Sequence, residues 1–146
     1  MNPHILTLSP PITLDPHWLA PHVAYTMTKF GMTLCALGLA EQLRSDGIAS
    51  NALWPRTLIA TAAVKNLLGG DESIRRSRTP AIYADAAYWV LTQPSTEYTG
   101  RSLLCEDVLV SAGVTDFSQY AATPGPTSEL IADLYVDSVD TPLPPS

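Results

Sequence analysis

Two residues in this sequence, Tyr25 and Lys29, have the types and spacing for acid–base chemistry. If the stretch is helical, a separation of four puts both side chains on one face, with Cβ atoms about 5–6 Å apart. A free phenol has a pKa of about 10, too high for easy proton exchange at neutral pH. A nearby ammonium favours the phenolate, so a tyrosine beside a lysine can give or take a hydroxyl proton. The same spacing also fits an amphipathic helix whose lysine lays its stem along apolar surface. Lysine is scarce here: of eight basic residues, only Lys29 and Lys65 are lysines. Ser9, which closes the apolar run HILTL, is a further hydroxyl candidate.

Other reactive residue types carry less. His17 and His22 are five apart in a proline-rich stretch, a poor ligand spacing with only Asp15 nearby, so no metal site is expected. Cys35 and Cys105 fit neither a metal motif nor a disulfide framework and read as two thiols in a reducing compartment. Arg75, Arg76 and Arg78 fit a solvated face. Trp54, Trp89 and Tyr88 read as core aromatics. Ser9 lacks the glycine elbow and histidine partner of a hydrolase nucleophile.

The elements that would position Tyr25 and Lys29 follow from the pattern. His4–Leu8 is a strand ended by Ser9-Pro10-Pro11. Residues 10–21 carry four prolines and read as an ordered, non-helical connection. A helix follows from Ala24 to about Arg44. Val23, Met27, Phe30, Leu34, Leu37 and Gly38 mark its apolar stripe, and Gly47 is its C-terminal stop. Residues 48–54 are a second strand ended by Pro55. Residues 57–79 are an excursion with one or two short helices around Gly69-Gly70. Thr79-Pro80 opens a helix to about Leu91. Residues 100–110 are a third strand, or a strand with a turn at Glu106-Asp107. The first 113 residues read as one domain and residues 114–146 as a proline-rich acidic tail, extended or partly disordered. Strands separated by helices imply a parallel sheet of α/β type.

Composition narrows the function classes. The net charge of −6 does not suit nucleic-acid binding, and 46% apolar residues are ordinary for a globular chain. The first ten residues lack a basic segment, and the weakly charged stretch 30–40 is too short to span a bilayer, so no membrane association is expected. The chain reads as cytoplasmic.

The run from Ser9 through Tyr25-Thr26-Met27-Thr28-Lys29-Phe30-Gly31 resembles the active-site segment of the short-chain dehydrogenase/reductase family. There a serine follows the fifth strand and YxxxK opens the next helix. Asn51-Ala52-Leu53-Trp54-Pro55 resembles the strand that ends beside the nicotinamide. The helix from Pro80 and the strand from Gly100 resemble the last two core elements. The likeness covers residues 4–113 and leans toward the hydroxysteroid-dehydrogenase-like and citronellol-dehydrogenase branch, through the Ser-Pro-Pro loop, the Trp-Pro-Arg-Thr turn and residues 115–120. It implies the C-terminal part of a doubly wound Rossmann-type sheet, lacking the N-terminal nucleotide-binding half.

The resemblance also implies NAD or NADP as cofactor, a small apolar alcohol or carbonyl substrate, and a homo-oligomer in the full-length protein. Tyr25 would be the acid/base and Ser9 its companion hydroxyl. Lys29 would serve both the phenol and the ribose. Ile59 and Thr61 fall near the family's contacts to carboxamide and phosphates. Three departures stand out. Pro10 occupies the usual second-serine position, so Ser9 takes that role only with a shifted loop. Arg56 stands where glycine is common. No GxGxxG-like turn occurs, and Gly69-Gly70 follows no strand. The chain alone is therefore expected to be inactive. The alternative is a non-catalytic remnant whose helix pairs with a partner or a second copy.

Overall fold

A computed structural model describes residues 1–140. It contains a three-stranded sheet in the order β1-β2-β3 (His4–Leu8, Ala49–Trp54 and Ser102–Leu104). β1 and β2 run parallel, with His4 opposite Ala49 and Leu8 opposite Leu53. All six residues of β2 are buried, whereas β1 is half-buried and ends exposed. That contrast is what a central strand beside an edge strand gives. The α/β class and parallel sheet expected from the sequence are present.

The helices are α1 (Pro16–Leu19), α2 (Val23–Gln42), α3 (Ala62–Leu67), α4 (Gly70–Arg75), α5 (Ala81–Thr92) and α6 (Cys105–Ser111). Several expectations need correction. The proline-rich connection, expected to be ordered but non-helical, holds a short helix. The Asp15 carboxylate accepts the His17 amide at 2.9 Å and Pro16 opens α1, because a missing N–H is harmless in a first turn. Residues 20–22 continue as a 3₁₀ turn. The strand expected over 100–110 is only three residues long, and α6 follows it. Glu106 and Asp107 fall in the first turn of α6, where carboxylates meet the positive helix end.

The apolar stripe of α2 is not its buried face. Thr26, Thr33, Ala36 and Ala40 are buried, while Val23, Met27 and Leu34 are exposed. Small side chains let α2 lie close on β1 and β2, and the larger ones face away from them. A short 3₁₀ turn (Arg44–Asp46) then leads to Gly47, whose φ of +68° is the left-handed stop expected there. By length and composition alone, Pro16–Gln42 is long and apolar enough to cross a membrane. The sequence expectation weighed only residues 30–40.

The chain forms two compact units, Met1–Trp54 with Ala87–Leu103, and Pro55–Ala86 with Leu104–Ser146. In the first, the buried Asn51 side chain ties the strand to the returning chain. Its amide donates to the Tyr98 carbonyl at 2.8 Å and its oxygen accepts the Arg101 amide at 2.9 Å. In the second, the segment after residue 113 is built into the unit and does not lie apart as a tail. Ala132 bridges Thr57, Ala121 bridges Arg78, and Tyr120 and Tyr135 are buried. Residues 141–146 of the expected tail lie outside the described residues.

Candidate active site

The first unit brings Tyr25, Lys29 and Ser9 onto one helix–strand layer. Tyr25 lies in the first turn of α2 and is partly exposed. Lys29, one turn on, reaches the carboxyl ends of the strands. Its Nζ donates to the Leu8 carbonyl at 3.3 Å and lies 5.4 Å from the centroid of the Trp54 ring. In an open parallel sheet this is the edge where ligands sit. Among the described residues no carboxylate pairs with Lys29, whereas Lys65 pairs with Asp71 at 3.1 Å.

Ser9 is buried at the end of β1. It is 1% exposed, and its Oγ lies 2.8 Å from the Thr33 hydroxyl, which also lies 2.7 Å from the Pro10 carbonyl. Thr33 is eight residues beyond Tyr25, roughly 12 Å farther along the helix axis. The Ser9 hydroxyl is thus buried against Thr33, between strand end and helix. With Pro10 at the following position, the stretch puts no substitute serine there.

Ile59 and Thr61 belong to the second unit. Ile59 is buried and bridges Arg78. Thr61 is exposed and caps α3, its hydroxyl accepting the Val64 amide at 3.3 Å. That unit also holds a buried charge cluster that sequence reading missed. Arg78 Nη1 lies 2.5 Å from Glu106 Oε1, with side chains 3% and 0% exposed. The other Glu106 oxygen accepts the Arg56 amide at 2.9 Å, and the Arg56 guanidinium forks onto Asp107 at 2.8 and 3.0 Å. Burial pushes the Glu106 carboxyl up, opposed by the Arg56 amide and the Arg78 guanidinium. Arg56, which stands where the resemblance leads one to expect glycine, is thus engaged with α6. Among the described residues no cluster of metal-ligating side chains occurs.

No family model matches the chain. The likeness to solved structures is close. A short-chain dehydrogenase from Mycobacterium thermoresistibile is 65% identical, with a TM-score of 0.86 over 97% of this chain and 49% of its own. A Xanthomonas campestris protein assigned as a dehydrogenase is 47% identical, with a TM-score of 0.85 over 94% of this chain and 49% of its own. Over nearly its whole length the chain is similar to part of these short-chain dehydrogenases. Among curated proteins of that kind, hydroxysteroid dehydrogenase-like protein 2 of Danio rerio is 48% identical over 136 residues, 93% of this chain. The Homo sapiens protein of the same name is 42% identical over 134 residues. The chain spans about a third of the length of these curated relatives, 32% and 31%, and about half that of the solved dehydrogenases.

Proposed function

We propose that this chain supplies the acid–base half of an NAD(P)-dependent short-chain dehydrogenase that interconverts an alcohol and a carbonyl on an apolar substrate. The observation that carries the reading is the Tyr25–Lys29 pair on α2, with the Lys29 ammonium held at the carboxyl ends of β1 and β2. Tyr25 accepts the hydroxyl proton in the oxidising direction and returns it to the carbonyl oxygen in the reducing one. Lys29 favours the phenolate electrostatically. Ser9 holds the strand end against Thr33.

The donor set fits the ribose side of a nicotinamide cofactor. An ammonium without a carboxylate partner suits ribose hydroxyls, and Lys29 is the residue that would hold them. Ile59 and Thr61 are proposed further contacts. When bound, the nicotinamide supplies or accepts hydride. The sequence offers no glycine-rich turn for the pyrophosphate, so that task falls to a part of the fold this chain does not carry. The exposed Ile12 and Leu14, in the loop leading to Tyr25, support an apolar substrate. The exposed stripe Val23, Met27 and Leu34 supports self-association along α2. A cytoplasmic setting is in keeping with two free thiols.

The test is a chimera that joins this chain to the upstream half of the Mycobacterium thermoresistibile relative. Oxidation of NADH and NADPH is then followed against a panel of apolar aldehydes and ketones. Turnover lost on Tyr25→Phe, with cofactor binding kept, is the expected result. A folded, cofactor-binding chimera whose Tyr25→Phe variant turns over like its parent would end the reading.

A further inference from the structure

The indole of Trp54 stands at the carboxyl end of β2, where its position invites a role beyond core packing. The other residues of the strand, Ala49, Ser50, Asn51, Ala52 and Leu53, are small, polar or aliphatic. Its one aromatic stands where Lys29 arrives, with the ammonium 5.4 Å from the ring centroid. That is inside the range in which a ring face attracts a cation. The Leu8 carbonyl accepts from the same ammonium at 3.3 Å.

We infer that Trp54 is a positioning residue for Lys29, holding the ammonium at the sheet edge without neutralising it. A lysine has three donors and no acceptor. The Leu8 carbonyl takes one, and the indole face attracts the charge without a full counter-charge. A donor remains for a phenol or a ribose hydroxyl. A carboxylate at the same place would hold Lys29 equally well but would cancel the field that makes it useful to Tyr25. The Lys65–Asp71 pair shows the alternative within the same chain, an ammonium occupied by an acid. The functional value of this arrangement rests on the proposed role of Lys29, but the arrangement itself is measured without any turnover.

Because the chain has only two lysines, their side-chain signals separate readily by NMR. The whole chain, labelled with ¹³C-lysine, is compared with Trp54→Leu and Trp54→Phe, and Lys29→Met assigns the resonances. The expected result is an upfield displacement of the Lys29 ε-methylene protons relative to those of Lys65, with cross-relaxation to the indole ring. Trp54→Leu removes the displacement and Trp54→Phe keeps part of it. Lys29 signals that coincide with those of Lys65, or that do not move in a folded Trp54→Leu chain, overturn the inference. Should Trp54→Leu fail to fold, the wild-type cross-relaxation and the Trp54→Phe shift decide alone. A negative result here leaves the dehydrogenase reading intact, whereas a chimera whose Tyr25→Phe variant turns over like its parent removes that reading and leaves the Trp54–Lys29 contact standing.

Discussion

Replacing Glu106 by glutamine should be costly, although it alters only one atom. The carboxylate is fully buried and pairs with Arg78, which is 3% exposed, at 2.5 Å. Glutamine can still accept the Arg56 amide but leaves the guanidinium buried without its counter-charge. Breaking a buried ion pair from one side costs about 3–5 kcal/mol. The surviving Arg56 contact, and the Phe117 ring 5.2 Å from the Arg78 guanidinium, place the loss near the lower end. About 3 kcal/mol is a large part of an ordinary stability of about 5–15 kcal/mol. For a chain of this size it corresponds to a melting point lowered by about 6–12 °C.

The assay must report on the unit that contains the pair. Trp18, Trp54 and Trp89 all lie in the other one, so tryptophan emission is the wrong probe. Urea denaturation followed by circular dichroism should be joined to amide exchange at Leu58, Ala60 and Arg78. Those amides are bonded to Ile131, Arg78 and Leu58 carbonyls within the unit. Arg78→Met in the Glu106→Gln background should recover part of the loss, because it removes the stranded charge. A loss under about 1 kcal/mol would show that the pair is not sealed from water as drawn.

Other consequences are simpler to check. In the chimera, Lys29→Met should slow turnover by about two orders of magnitude and also weaken cofactor binding, if one ammonium serves phenol and ribose as proposed. Gly69 has φ +113°, and a Cβ there would collide with Ser73 Oγ, so Gly69→Ala should destabilise the α3–α4 segment by about 1–3 kcal/mol. Faster proteolytic cleavage near residue 69 would reveal it, and an unchanged rate would count against the strain. Tyr120, buried and donating to Asp85 at 2.8 Å, has its phenol pushed up to about 12, mainly by burial. Its contribution is full below the free phenol value of about 10 and is lost as pH rises through about 12, so Tyr120→Phe should blunt alkaline unfolding in that window.

How much of this was legible in the sequence depended on the range of the interaction. β1, β2 and α5 were readable because apolar runs are bounded by Pro10, Gly47, Pro55 and Thr79-Pro80, all local signals. α1 was missed because four prolines look like irregular chain until one is placed at a helix start and Asp15 is seen to cap it. The third strand was overextended because the apolar residues of 103–110 fit a short strand running into a helix as well as a longer strand. The segment after 113 looked like a tail because its anchoring is non-local. Ala132 and Ala121 bond to residues more than forty positions earlier. Arg78 and Glu106 are 28 residues apart, and no local pattern announces that two charges will share a buried site.

The candidate site shows the same division. Tyr25 and Lys29 could be found because four-residue spacing is a property of one helix. That Ser9 would pair with Thr33 could not, since it depends on how far α2 slides along β1. Yet Thr33 belongs to the same series: Tyr25, Lys29 and Thr33 recur at four-residue steps, each about 6 Å farther along the axis. Thr33 fixes the helix to the strand end through Ser9 and the Pro10 carbonyl. One turn back, Lys29 then falls on the Leu8 carbonyl and the Trp54 ring. One turn further, Tyr25 lies toward the exposed start of α2, where a substrate oxygen could reach it. On this view the buried serine matters because it sets the register that carries the phenol to the edge, and that task needs its proton held inside.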